Sequence, residues 1–265
     1  MESIKSYSTA NSIKVLAFAI NLEQRLSSEQ IDFLIKKVEE IEYFENNFSN
    51  KQIQEEISIT TQPNGITTQT KGVAGIVWQK IDELKKPVWT LTINKEIIVI
   101  TCHVYTRWNE ISKQAFEYID NAFKLISDTP NITQITLEYL DEFEVVNTHS
   151  NWKEKLFKDN CEYITSNIHN LDDFWHISQG YFIKLEKQDE KLLDTVDINY
   201  FADELDNLKH KVNIRIQHKL LYSPKTLYNQ EAINDSFEEI HKHSKKIFID
   251  IVNDDIINQF NTGEN

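Results

Sequence analysis

Apolar and polar positions along this chain follow two periods, and the switches between them mark its elements. Residues 12–22, SIKVLAFAINL, form a dense apolar run with β-branched members and predict a buried strand. Ser27 opens a helix, because its hydroxyl can cap the free amides of the first turn and Gln30 three residues on completes a capping box. Ile31, Leu34, Ile35, Val38 and Ile41 then recur at helical spacing opposite Lys36, Lys37, Glu39 and Glu40, up to a stop before Asn46-Asn47. From Ile53 the period shortens: Ile53, Ile57 and Ile59 sit among polar residues in a half-buried pattern. Pro63-Asn64-Gly65 signals a turn into a second strand, GITTQTKGVAGIVWQKID. Val88–Ile93 alternates cleanly, and Asn94-Lys95-Glu96 makes a short loop into Ile97–Tyr105, so residues 53–105 predict an antiparallel meander of about four strands.

Thr106 is the expected cap of a second helix, with Ile111, Ala115, Ile119, Ala122, Phe123 and Ile126 as its apolar stripe. Asp128-Thr129-Pro130 stops it, since proline cannot extend a helix. Strand 132–146 follows, with Ile135, Leu137, Tyr139, Phe143 and Val145 on one face. Asn147–Asn151 is short and polar and is the expected domain boundary. Residues 152–169 then predict a helix with Leu156, Ile164 and Ile168 inward. Three strand-like runs come next: Phe174–Leu185, Leu192–Phe201 and Val212–Leu221. A third long helix starts near Asn229, with Ile233, Phe237, Ile240, Ile247 and Ile251 as its stripe; about 24 residues would span about 36 Å. A short turn, Asp254–Phe260, ends the pattern. The expected fold is α+β: two antiparallel meander sheets, each covered by long amphipathic helices. The expected domains are 1–150 (strand, helix, meander, helix, strand) and 151–265 (helix, three strands, long helix).

Composition narrows the classes of function. With 265 residues the chain can bury a core without disulfide or metal staples. Five glycines leave little room for phosphate-cradling loops. A net charge of −14 disfavours general binding of nucleic-acid backbones, while a local basic patch stays open. Cys102 and Cys161 form no CxxC motif and read as two reduced thiols. The N-terminus lacks a basic-then-apolar leader, and the longest apolar run, IIVITCHVY, is too short for a bilayer, so a cytoplasmic protein without membrane contact is expected.

Tyr105-Thr106-Arg107-Trp108 ahead of a helix, followed by the strand ITQITLEYLDEF, resembles the central signature of a sporadically distributed family of uncharacterised bacterial proteins of similar length. Members also end in a helix with a His near its start and an aromatic about seven residues later; FEEIHKHSKKIFIDIVNDD places His241 and Phe248 there. The chain departs from the pattern in SIKVLAFAINLE, where relatives have a Pro-Leu-Val-Glu-like strand, and in Thr136-Leu137-Glu138-Tyr139, where they more often carry Arg. The resemblance implies no established activity. Its patchy distribution implies a horizontally moving gene, as in antiviral-defence or toxin-inhibitor cassettes.

The residues with binding potential are two groups. Tyr105, Arg107 and Trp108 form an aromatic-cationic corner, readable as a recognition surface or as a packed helix start with Arg107 paired to a carboxylate. Glu138, Glu142 and Glu144 share one strand face, readable as a basic-partner site or as a solvated acidic face, and Asp141 joins Glu138 and Glu142 in a hydrolase or nuclease reading. His241 and His243 lie about 200° apart on a helix and cannot share a metal. Asp250, Asp254 and Asp255 lack a calcium-loop pattern and instead cap the final turn. Cys102 and His103 are adjacent in a strand and point apart. His149, His169, His176, His210 and His218 show no ligand spacing, and no GxSxG, P-loop or GxGxxG occurs. No catalytic residue, metal or cofactor is therefore expected. The expectation is a non-enzymatic interaction, scaffold or sensor component of a bacterial complex, with a protein partner or self-association. The alternative is a carboxylate-dependent hydrolase or nuclease.

Overall fold

A computed structural model describes residues 4–38, 42–61, 65, 67–126, 130–149, 151–171, 174–184, 191–202 and 209–261. The elements in order are β1 (Ile4–Ser6), β2 (Ile13–Leu22), α1 (Ser28–Val38), α2 (Glu42–Asn47), β3 (Asn50–Thr61), β4 (Thr67–Ile81), β5 (Pro87–Asn94), β6 (Ile97–Cys102), α3 (Trp108–Leu125) and β7 (Ile132–Val145). The second half adds α4 (Trp152–Leu156), β8 (Trp175–Lys184), β9 (Lys191–Ala202), β10 (His210–Thr226), α5 (Gln230–Ile251) and α6 (Asp254–Asn261).

The strands form one antiparallel sheet, which corrects the expectation of two. Its order is β3-β4-β5-β6-β2-β7-β10-β9-β8, with the short β1 also pairing to β7. The join is the register of β7 with β10, which runs unbroken from Val145↔His210 to Gln134↔Leu221. Sequence periodicity shows that a strand has one buried face, but it does not say which strand lies beside it. β7 therefore read as the end of one sheet and β10 as the end of another, whereas each completes the other's hydrogen-bond ladder.

Cross-strand register puts Leu16, Tyr139, Ile216 and Val196 in one row and Phe18, Leu137, His218 and Asp194 in the next. This face is covered by α1, α3 and α5, which pack on β4, on β6 and on β7 with β10 respectively. Its buried residues fall into two apolar clusters. One holds Phe18, Trp108, Tyr118 and Phe237; the other holds Phe143, Trp152, Ile214 and Ile251. Buried polar side chains in this layer include Asp141, Asp194, His218 and Ser244.

Several local expectations stand. Ser27 and Gln30 exchange capping bonds of 3.1 and 2.8 Å, and Asn229 caps α5 by accepting from the Ala232 amide at 2.9 Å. α5 is 22 residues long and its stripe Ile233, Phe237, Ile240, Ile247 and Ile251 is buried. Gly65 adopts φ +82°, the left-handed conformation a turn needs, while Pro63 and Asn64 lie outside the described residues. Asp128 and Thr129, expected to stop α3 with Pro130, also lie outside them; among the described residues α3 ends at Leu125.

Others differ. Residues 152–169 form only the one-turn α4 and, further on, a 3-10 turn at Ser166–Asn170, so Cys161 lies in the irregular segment between them rather than in a helix. The Lys153 ammonium accounts for the interruption: it donates to the carbonyls of Ile168 and Leu171 and folds the segment back on itself. α3 starts at Trp108 with Arg107 at its cap position; the Thr106 hydroxyl donates to the Glu110 carboxylate at 2.8 Å instead of capping. Ile53, Ile57 and Ile59 are 50–66% exposed, because β3 is a sheet edge whose outer half pairs only with β4.

Candidate functional site

A cavity of about 350 Å³ opens where α5 crosses the start of β2 and the corner before α3. The sequence places its parts by ordinary means. Ser8 and Asn11 close a tight turn through Ser8 Oγ, which accepts from the Asn11 amide at 3.1 Å, and this turn delivers Ser12 to the sheet. The Asn11 side chain donates to the Tyr105 carbonyl at 3.2 Å and ties the two loops together. Strand alternation on β7 sends Tyr139 and Asp141 into the cavity, and the helical period of α5 brings His241, Ser244, Lys245 and Phe248. Ile257 and Phe260 of α6 form part of the wall.

The cavity has an aromatic side and a polar floor. The rings of Trp108 and His241 stack at 3.9 Å with 7° between planes, and Trp108 also stacks on Phe18 at 5.7 Å. The Trp108 indole N–H donates to Glu238 on α5 at 2.7 Å, and Tyr139 hydroxyl bonds His241 Nδ1 at 2.7 Å. Burial, with like charge from Lys245 and Lys242, holds His241 down at about 4, so its imidazole is neutral at pH 7. Burial likewise keeps the Tyr139 hydroxyl well above its ordinary value. At the floor the Asp141 carboxylate accepts from Ser12 Oγ at 2.7 Å and is 2% exposed. Burial pushes it up to about 7, more strongly than the Ser12 hydrogen bond pulls it down. No Lys or Arg is paired with Asp141 among the described residues.

Comparison of the chain with protein-family profiles, with curated proteins and with solved structures returns no match. The site's own geometry carries the functional reading.

Of the residues chosen from sequence, Tyr105, Arg107 and Trp108 all line this cavity. Trp108 is also packed, at 9% exposure, so the corner is both a helix start and a wall; among the described residues no carboxylate lies within ion-pair distance of Arg107. His241 and Phe248, noted for their spacing on the last helix, line it too. Glu138, Glu142 and Glu144 do share one face of β7, but it is the face away from the three helices, opposite Tyr139 and Asp141. There Glu138 pairs with Arg215 at 2.7 Å and accepts from Gln217, and Glu142 pairs with Lys14 at 2.7 Å and Lys211 at 3.1 Å. The charges of Glu138 and Glu142 are thus met by cations of the same chain.

Ser12, Asp141 as a floor group, and Lys245 escaped the sequence reading of the site. Asp141 carries a legible signal: a carboxylate in phase with Tyr139, Phe143 and Val145 on an otherwise apolar strand face. Ser12 and Lys245 carry none. Among the other histidines, His103 meets Thr90, His169 lies 3.8 Å from Glu154, His176 meets Asn199, His210 meets Tyr200, and His218 with His243 meets Asp194, outside the cavity.

Proposed function

We propose that this chain is a non-enzymatic sensor and interaction component of a bacterial complex, and that its cavity holds a small ligand with a planar apolar body and an anionic end. The carrying observation is the cavity's composition: a Trp108–His241 stack and Phe248 for the planar body, Arg107 and Lys245 on its lining for an anion, and Asp141 as a buried floor carboxyl. A protonated carboxyl at the floor donates a hydrogen bond that an ionised one does not.

The arrangement supports binding more than turnover. His241 is neutral with Nδ1 engaged by Tyr139, and the nearby Ser12 hydroxyl is spent on Asp141, which leaves no activated nucleophile beside a base. A carboxylate-dependent hydrolase would need Glu138, Asp141 and Glu142 together, whereas β7 presents Asp141 on one face and both glutamates on the other. A cytoplasmic place, a protein partner or self-association, and an antiviral or toxin-inhibitor setting complete the proposal. Phage challenge of a strain lacking the gene tests that setting, and unchanged sensitivity counts against it.

The cavity is tested with 1-anilinonaphthalene-8-sulfonate, whose fused rings and sulfonate match the walls and the cations. Saturable one-site fluorescence enhancement is expected, reduced about tenfold or more in affinity by Trp108→Ala. Absence of saturable binding, or affinity in Trp108→Ala and Arg107→Ala undiminished from the parent, overturns the reading.

A further inference from the structure

Beneath the other side of α5 the sheet carries a second polar group, on residues the cavity does not use. Asp194 on β9 and His218 on β10 are directly opposed across the ladder, and both are 0% exposed. His243 comes down from α5 with its side chain 28% exposed. Each carboxylate oxygen of Asp194 takes one imidazole: Oδ1 accepts from His218 Nδ1 at 2.6 Å, and Oδ2 from His243 Nε2 at 2.7 Å. One donor atom from each of the three residues lies within 4.8 Å of the others.

We propose that Asp194, His218 and His243 bind a divalent metal ion of the zinc type, through one carboxylate oxygen and two imidazole nitrogens. Three features carry this. The donor set is the mixed nitrogen and oxygen set that suits zinc and its neighbours, and three protein ligands leave a position open. The charge is right: a fully buried carboxylate has only these two imidazoles as ion-pair partners among the described residues, with no Lys or Arg, and a dication removes the cost of that charge. The hydrogen-bonded arrangement is also incomplete, because His218 Nε2 is buried with no partner. Moving the imidazole proton from Nδ1 to Nε2, as ligation by Nδ1 requires, therefore forfeits no Nε2 hydrogen bond.

The geometry needs little adjustment. A tetrahedral ion about 2.0–2.1 Å from each donor sets the donors about 3.3 Å apart. The ligating oxygen and its present imidazole partner must open slightly, and the other imidazole must close on both from a spacing within 4.8 Å, by side-chain shifts on the order of an ångström. A pocket of about 110 Å³ reaches the group at His243, which lines it together with Glu239, one helical turn earlier on α5, and with Ser236. Bound there, the ion ties α5 to β9 and β10. It would fix the helix that also carries His241 and Lys245, without depending on what the cavity holds.

The test uses the full chain after EDTA treatment and dialysis. Titration calorimetry with Zn²⁺ should give one ion per chain, Co²⁺ should give visible bands of a four- or five-coordinate site, and Zn²⁺ should raise the melting temperature. His243→Gln and Asp194→Asn should each weaken Zn²⁺ about 100-fold or more and abolish the thermal shift, since loss of even an outer-shell partner costs about 10–100-fold. His176→Gln, an exposed histidine on β8, should bind as the parent does. Circular dichroism checks folding, and if Asp194→Asn fails to fold, the part-exposed His243→Gln decides alone. Absence of a stoichiometric ion, or undiminished Zn²⁺ affinity in His243→Gln, overturns the proposal and leaves a hydrogen-bonded core triad only. Neither result bears on dye binding at Trp108, so the two readings fail separately.

Discussion

Asp141 and Asp194 occupy the same face of the same sheet, two strands apart, and their carboxyls shift in opposite directions. For Asp141 burial dominates and the single Ser12 hydrogen bond does not offset it, so its carboxyl rises to about 7. Burial pushes Asp194 up as well, but hydrogen bonds from His218 and His243, and their charge, outweigh it and hold the carboxyl below the ordinary range. The lesson is that depth alone does not set protonation: the number and kind of donors facing the carboxylate do. One aspartate becomes a floor carboxyl that holds its proton up to about pH 7, and the other a negative charge between two imidazoles.

The contrast breaks most visibly when a partner is removed. Asp194→Ala orphans two imidazole groups and should destabilise the chain by about 3–5 kcal/mol in urea melts with EDTA present. A loss below about 1 kcal/mol would mean the triad is not coupled. Asp141→Asn should do the reverse. A carboxyl raised in the folded state favours folding fully only below its unfolded value, and that advantage is lost as pH rises toward 7. The Asn variant should thus match the parent near pH 4 and exceed it at pH 8, by an amount on the order of a few kcal/mol.

His241 sharpens the comparison, because its shift has the opposite linkage. Held at about 4 in the folded state, it penalises folding below its ordinary value of 6.5, so its contribution rises with pH between about 4 and 6.5. Over that window Asp141 and His241 offset each other. Asp141→Asn should uncover a positive stability slope of up to about 1.4 kcal/mol per pH unit, and His241→Gln a negative one. Equal slopes in both variants would show that the two groups do not titrate as described. The smallest effect belongs to the uncovered face, where Arg215 is 45% exposed beside Glu138; a double-mutant cycle on that pair should give about 0.2–1 kcal/mol, falling with added salt.

Much of the fold was legible because periodicity reports burial directly. The stripes of α3 and α5, the alternation of β7 and β10, and the Ser27 and Asn229 caps depend on residues within a few positions of each other. The cavity was half legible: the Tyr105–Trp108 corner stood out for its residue types, and Asp141 breaks an apolar alternation. Ser12 and Lys245 look like any loop serine and helical lysine. The Asp194 group was not legible, since His218 and His243 are 25 residues apart and Asp194 24 residues before His218, with no ligand spacing to flag them.

By itself the sequence determined which residues turn inward, where helices start and what charge the chain carries, because backbone geometry and solvation act locally. The tertiary structure decided that β7 meets β10, merging two expected sheets into one, and that α5 crosses that junction. A strand's hydrogen-bonding edges accept any neighbour of matching register, so the choice rests on packing of the whole chain. Pairing of β2 with β7 set Asp141 beside Ser12, and pairing of β9 with β10 beneath α5 set Asp194 between two histidines, and with it the chemistry available to each.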